Sequence, residues 1–132
     1  MPLVRIALPK GKSQQFRKAV SQGIQDALVE TFNVPKDDLF QIITEGAPQT
    51  EIVHGPSYLG IAYSDDLVLI QLTVSDTRTI EQKKQLYRRI VDHLSETAGL
   101  RREDIFINLV EVLPENWSFG NGIAQYVKDS AL

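Results

Sequence analysis

Val34-Pro35-Lys36-Asp37-Asp38-Leu39-Phe40 is answered 66 positions later by Leu100-Arg101-Arg102-Glu103-Asp104-Ile105-Phe106, the same order of residue types met twice. In each copy a polar, turn-forming run leads into an apolar segment suited to a strand. The same 66-residue offset pairs Lys18 with Lys84, Ile24 with Ile90, Asp26 with Asp92, Leu28 with Leu94, Glu30 with Glu96 and Thr31 with Thr97. No gap is needed to keep that register. A match of this length marks an internal duplication rather than shared helical patterning.

Working outward, each copy reads as strand, helix, strand. In the first, residues 3–8 form a strand stopped by Pro9-Lys10-Gly11, and Ser13 is the N-cap of a helix. Phe16, Val20, Ile24, Ala27, Leu28 and Thr31 recur at spacings of three and four, so they share one helical face that ends near Asn33. After the turn at 34–38, a second strand is expected over 39–44. In the second copy the strands are expected at 67–74 and 105–112. The helix between them starts at the N-cap Thr79, buries Ile80, Leu86, Tyr87, Ile90, Val91 and Leu94, and turns at Gly99. The fold class is therefore α/β, in the α+β sense: a single domain of two fused β-α-β units, about 2–45 and 67–112, with a tail over 113–132. Right-handed crossovers put both helices on one face of a four-stranded mixed sheet. Leu67-Val68-Leu69-Ile70 is apolar on both sides, so the second face also needs a cover. The tail offers Trp117, Phe119 and Tyr126, and association of subunits would cover that face better, which predicts an oligomer. The segment from Gly46 to Asp65 is too long for a plain connection and reads as a hairpin arm or a subunit-contacting loop.

Composition narrows the function. The chain has 132 residues, 42% of them hydrophobic, which suits one domain with a core that needs no disulfide or metal. Its 14 Lys+Arg against 17 Asp+Glu give a net charge of −3, and the pI is about 5.3. No general attraction to nucleic acid or an anionic membrane is expected, and any anion site must be local. Cysteine is absent, which removes thiol chemistry. His93 falls between Arg89 and Glu96, off the apolar stripe, and reads as solvated; His54 lies in a Gly/Pro loop. No metal-ligand spacing exists. The amino-terminal residues lack the apolar core of a signal peptide, and the longest apolar run, 67–70, cannot span a bilayer. A cytoplasmic protein is expected.

Pro2 directly after the initiator, Gly11-Lys12-Ser13 before the first helix, and the duplication together resemble the tautomerase superfamily, whose members use an amino-terminal proline. Within it, the chain is similar to the malonate semialdehyde decarboxylases. That likeness is carried by Phe32-Asn33-Val34-Pro35-Lys36-Asp37-Asp38 with Phe40-Gln41, by residues 66–73, by Arg78-Thr79, and by Trp117-Ser118-Phe119-Gly120 with Ala124-Gln125. It spans nearly the whole chain. The resemblance implies a cofactor-independent enzyme, a homotrimer, and a small carbonyl substrate bearing a carboxylate.

A small residue after Met1 favours removal of the initiator, which leaves the Pro2 nitrogen as a secondary amine. Its pKa starts at roughly 8, falls with desolvation and rises beside a carboxylate. Neutral, it abstracts a proton from carbon next to a carbonyl; protonated, it polarises the carbonyl. Arg78 and Lys12 occupy equivalent places, each directly before a hydroxyl N-cap, where free helix N–H groups favour an anion. The resemblance gives Arg78 the substrate carboxylate. The family's other arginine is absent, and its place falls at or near Ser75. Asp38 matches the family aspartate beside the proline; as read from the residues alone, Asp38 and its counterpart Asp104 serve equally as turn caps. Trp117 and Phe119, with Tyr126, wall an apolar pocket or pack as core.

The expected reaction is decarboxylation of a 3-oxo acid such as malonate semialdehyde, with Pro2 and Asp38 catalytic and Arg78, Ser75, Lys12, Trp117 and Phe119 binding substrate. The alternatives are keto–enol tautomerisation or hydration of a 2-oxo or unsaturated acid, and, from another class, a non-catalytic trimeric binding protein.

Overall fold

In the computed structural model, which describes residues 1–128, the duplication is visible in the backbone. Strand β1 (Pro2–Pro9), helix α1 (Gln14–Phe32) and strand β2 (Gln41–Gly46) form the first unit. A small hairpin of β3 (Ser57–Tyr58) and β4 (Ile61–Ala62) follows. Strand β5 (Val68–Ser75), helix α2 (Ile80–Ala98) and strand β6 (Ile105–Val112) form the second unit. Both helices are 19 residues long and start 66 positions apart. β1 and β5 also share one alternation of buried and exposed residues.

The strand order is β2-β1-β5-β6. The outer pairs are parallel and the central pair β1–β5 is antiparallel. In that central ladder Arg5 faces Gln71, two positions that are themselves 66 apart, so a pseudo-twofold axis passes between them. Loops that correspond in the two units therefore lie at opposite ends of the sheet.

Local chemistry sets the helix ends. The Ser13 hydroxyl accepts from the Phe16 N–H, and Asn33 closes α1 in the left-handed region at φ 55°. Thr79 and Gln82 form a reciprocal capping box, and Gly99 closes α2 at φ 67°. The core lies between the helices and one sheet face. There Val4, Ile6, Leu8, Ile70, Leu72 and Val74 meet Ile24, Leu28, Leu86, Ile90 and Leu94, all essentially fully buried. Each such side chain contributes about 1.5–3 kcal/mol. α1 and α2 approach closely at Gly23, where a Cβ would stand 3.1 Å from the His93 Cβ.

Four expectations shift. Ile80, expected on the buried side of α2, is its first residue and stands 70% exposed. β2 begins at Gln41 rather than Leu39, because Gln41 is the residue that pairs with Val4, and Phe40 only accepts the Val4 N–H at 3.0 Å. β5 runs one residue later than expected. His93 is not solvated: it faces α1 across the close contact, with Nε2 2.8 Å from Glu30 Oε1 and its side chain 17% exposed. The 46–65 segment carries the β3–β4 hairpin arm, whose tip residues Tyr58 and Leu59 are strongly exposed.

Among the described residues the tail does not cover the second sheet face. Trp117 turns instead to the end of β5. Ile42, Phe106 and Val110 on that face stay half-exposed, while their neighbours Ile105, Ile107 and Leu109 pack into the core. The last four tail residues, 129–132, lie outside the described residues. Among the described residues no helix is long and apolar enough to cross a membrane.

Candidate active site

The start of β1, the end of β5 and the turn before β2 converge because Pro2 pairs with Val74 while Val4 pairs with Gln41. A cavity of about 400 Å³ opens there, lined by Met1, Asp38, Ser75, Thr77, Arg78 and Tyr126 among others. Pro2 is buried next to the lining residue Met1, in the first position of β1.

Asp38 is fixed through its backbone. Its N–H donates to the Pro35 carbonyl at 3.0 Å. Its own carbonyl accepts from the Gln25 carboxamide at 3.1 Å. Gln25 is a buried polar residue on an otherwise apolar helix face, so it ties α1 to the turn and leaves the carboxylate free. Oδ2 lies 4.0 Å from the Met1 amino nitrogen, and the carboxylate is only 11% exposed. Oδ1 is buried and has no hydrogen-bond partner among the described residues, an arrangement that costs stability and is found where a group has other work.

Arg78 is held in one orientation. It donates to Thr77 Oγ1 at 2.6 Å and to the Phe32 carbonyl at 2.8 Å. Its guanidinium stacks 4.9 Å from the centre of the Phe32 ring. Two of its five N–H donors are thereby used, which leaves an edge free for an anion.

The charges press on one another. Burial pushes the Met1 amino group below its ordinary value, Asp38 pulls it back up, and Arg78 lowers it. Burial pushes the Asp38 carboxyl up, opposed by the amino terminus, raised further by Asp37 and lowered by Arg78. Amine and acid are thus both pushed toward their neutral forms. The amino terminus here belongs to Met1, and the Pro2 nitrogen is one residue further in.

Ser75 lines the cavity, is 6% exposed, and accepts from the Trp117 indole at 3.1 Å. Trp117 stacks on Phe119 with ring centres 5.5 Å apart. The structure thus brings Asp38, Ser75 and Arg78 together around the cavity beside Met1, with Pro2 one residue further in; Trp117 and Phe119, expected to touch substrate, stack behind Ser75 and are not among the lining residues. Lys12 is not brought in. It stands beyond the far end of β1, more than roughly 20 Å away along the strand, paired with Asp66 at 2.8 Å. Equivalence under the offset placed Lys12 beside Arg78 in role, but the antiparallel centre puts the two loops at opposite ends of the sheet.

Asp104 occupies the position in the second unit that Asp38 holds in the first, and it is sealed. It is fully buried, accepts from the Ser64 N–H at 2.8 Å and hydroxyl at 2.6 Å, and pairs with Arg101 at 3.2 Å. Reading from sequence missed the Phe32 carbonyl, Thr77 and Gln25. Of these only Gln25 carried a signal, as a polar side chain on the apolar stripe. Among the described residues no three acidic or histidine side chains gather as metal ligands.

The geometry defines a duplicated β-α-β protein with an acid, an amine and a fixed guanidinium in one cavity at its amino terminus. The chain belongs to the tautomerase superfamily: residues 38–120 match the family Tautomerase_2 and residues 2–58 the family Tautomerase, both described as tautomerase enzymes. It is 41% identical over 128 residues to the probable tautomerase YusQ of Bacillus subtilis (strain 168), covering 97% of this chain and 100% of that protein. The solved structure of FG41 malonate semialdehyde decarboxylase inhibited by 3-bromopropiolate is 37% identical, with a TM-score of 0.87 over 94% of this chain and 93% of that one. A fused 4-OT described as a symmetric trimer shares the fold at 22% identity and a TM-score of 0.76, covering 94% of this chain and 97% of that one.

Proposed function

We propose that this tautomerase-superfamily enzyme acts through the Pro2 amine, freed by removal of Met1, on a small oxo acid, and that the reaction is decarboxylation of a 3-oxo acid such as malonate semialdehyde. The observation that carries the reading is the convergence of the amino end of the chain, Asp38 and a braced Arg78 on one cavity. Arg78 anchors the carboxylate. Pro2, as a cation supported by Asp38, donates a hydrogen bond to the carbonyl oxygen. The bond to the carboxylate carbon breaks and CO2 leaves. Its electron pair moves into the polarised carbonyl, whose oxygen takes the proton from Pro2. The enol then gains a proton at carbon from water and returns its hydroxyl proton to Pro2, which restores the starting cation. The likeness to a malonate semialdehyde decarboxylase at 37% identity supports this chemistry.

A second reading has its own observation. Burial is the largest influence on the Met1 amino group and lowers its pKa; Pro2 is itself buried, and burial of its amine after removal of Met1 favours the neutral form, which abstracts a proton in keto–enol tautomerisation. The relative named a probable tautomerase agrees with that reaction, and hydration of an unsaturated acid uses the same groups. The half-exposed apolar residues of the second sheet face, together with the trimeric fused 4-OT, support assembly as a homotrimer through that face.

Protein whose intact mass shows Pro2 as the first residue should be assayed on malonate semialdehyde and on phenylpyruvate across pH. Decarboxylation that declines as the amine loses its proton supports the first reading. Turnover of phenylpyruvate that grows over the same range supports the second. Protein that keeps Met1, turns over neither compound and still binds oxo acids is a trimeric binding protein instead.

A further inference from the structure

The turns that carry Asp38 and Asp104 are built alike. The Asp38 N–H donates to the Pro35 carbonyl and the Asp104 N–H to the Arg101 carbonyl, both at 3.0 Å. Val34 N–H reaches the Leu28 carbonyl at 3.4 Å, and Leu100 N–H the Leu94 carbonyl at 3.3 Å. The corresponding helix residues differ, because the 66-residue offset sets Gln25 against Val91. Gln25 is 6% exposed. Its Nε2 donates to the Asp38 carbonyl at 3.1 Å and stands 3.5 Å from the Lys36 carbonyl. Both partners are acceptors, so the amide nitrogen must be the atom that faces them. The second unit makes the same turn with a valine on its helix, so the turn itself does not need the carboxamide. Valine would also be the cheaper residue to bury.

The two carboxylates are aimed by different means. Asp104 is oriented through its own oxygens, by Ser64 and Arg101. Asp38 Oδ1 has no hydrogen-bond partner among the described residues, and Oδ2 stands 4.0 Å from the Met1 amino nitrogen. A carboxylate held through its main chain keeps its oxygens available for an amine or a water. We propose that Gln25 is a positioning residue: by fixing the Asp38 carbonyl it sets the direction in which the carboxylate points at the first amine of the chain, and it occupies neither carboxylate oxygen. This rests on reading the amino-terminal cavity as the active site. The titratable groups at this corner are the amine, Asp37, Asp38, Arg78 and Tyr126. Gln25 adds no charge to them, so its influence on the amine must pass through Asp38.

Titration of the amine tests this without a substrate. Full-length protein whose mass shows Pro2 first, isotope-labelled at the proline nitrogen, is followed by NMR across pH. Asp38→Asn should lower the amine pKa, because a carboxylate beside an amine holds it charged. Gln25→Met keeps the length of the side chain and removes the donor. It should lower the same pKa by roughly 0.5–1 pH unit, less than Asp38→Asn does. In protein that already carries Asp38→Asn it should add nothing. Gln25→Val, which copies the second unit, should fold and follow Gln25→Met. Kinetics on malonate semialdehyde and phenylpyruvate should show kcat down about ten- to hundredfold with KM little changed, because Arg78 is braced by Thr77 and Phe32 rather than by Gln25. An amine pKa that Gln25→Met leaves in place, an equal shift when Asp38 is already asparagine, or loss of folding in both Gln25 variants would overturn the proposal. Amine shifts as expected in a protein inactive on both oxo acids would refute the catalytic reading and leave the positioning by Gln25 standing.

Discussion

Replacing each of the two equivalent aspartates by asparagine should move stability in opposite directions. Asp38 is 11% exposed, one oxygen is unpartnered, and burial raises its pKa above 3.8 against the pull of the amino terminus. A carboxyl whose folded value is raised contributes stability that is fully present below its unfolded value. That stability is lost as pH climbs through the folded value. At neutral pH the ionised side chain is therefore a burden, of the order of the 1–3 kcal/mol that an unmet buried acceptor costs. Asp38→Asn removes the charge. It should raise Tm at pH 7 by about 3–5 °C for each kcal/mol relieved in a chain of this length, while lowering kcat/KM roughly tenfold or more.

Asp104→Asn should do the reverse. Asp104 satisfies the Ser64 N–H, the Ser64 hydroxyl and Arg101. An amide offers one acceptor oxygen where the carboxylate has two. Losing one charge-assisted bond costs about 1.5–3 kcal/mol, a fall in Tm of about 5–15 °C; Arg101 is half-exposed and adds little. Activity measured well below the lowered Tm should stay near wild type. The assay is thermal unfolding at pH 4, 5.5 and 7 beside steady-state kinetics. The gap between Asp38→Asn and wild type should widen as pH rises. A gap that narrows, or an Asp38→Asn protein less stable than wild type at pH 7, refutes the reasoning from burial.

Arg78→Ala should reduce kcat/KM for carboxylate substrates about ten- to hundredfold, measured on the two oxo acids, whereas Lys12→Ala at the far end of the sheet should leave it near wild type. Ser75→Arg should not tighten substrate binding: Ser75 is nearly buried and holds Trp117, so a guanidinium there displaces the tail, and KM should increase. Phe106→Glu puts a charge on the half-exposed apolar face, and sedimentation at micromolar concentration should show smaller particles than wild type.

What was legible in the sequence was what local chemistry decides. Ser13, Asn33, Thr79 and Gly99 bound their helices as read, because a cap is chosen by residues within one turn of it. The resemblance named Pro2, Asp38 and Arg78 together, and the fold lines one cavity with Asp38, Arg78 and Met1, the neighbour of Pro2. The start of β2 was not, since Gln41 enters the ladder only because Val4 lies opposite. His93 was misread because a helical wheel shows one helix. Its burial comes from the other, at a glycine whose missing side chain allows the approach. The bracing of Arg78 by the Phe32 carbonyl was invisible for the same reason: 46 residues separate the partners, and no local pattern announces a main-chain acceptor.

On the proposed reading, the duplication explains why one end of this sheet is the site and the other is not. The pseudo-twofold axis between Arg5 and Gln71 maps Met1 onto Leu67, Asp38 onto Asp104 and Arg78 onto Lys12. Only the first strand of the chain can begin with a free amine. At the mapped position, Leu67 is 2% exposed and the chain continues through it, so a carboxylate there has no amine to serve. Left unpaired it would cost stability without benefit. The second unit accordingly closes around Asp104 with Ser64 and Arg101, and pairs Lys12 with Asp66. Asp38, whose neighbour is the amino terminus, keeps an oxygen with no hydrogen-bond partner among the described residues. The difference between the two carboxylates thus follows from chain direction, and the unsatisfied one marks the end of the sheet where chemistry is possible.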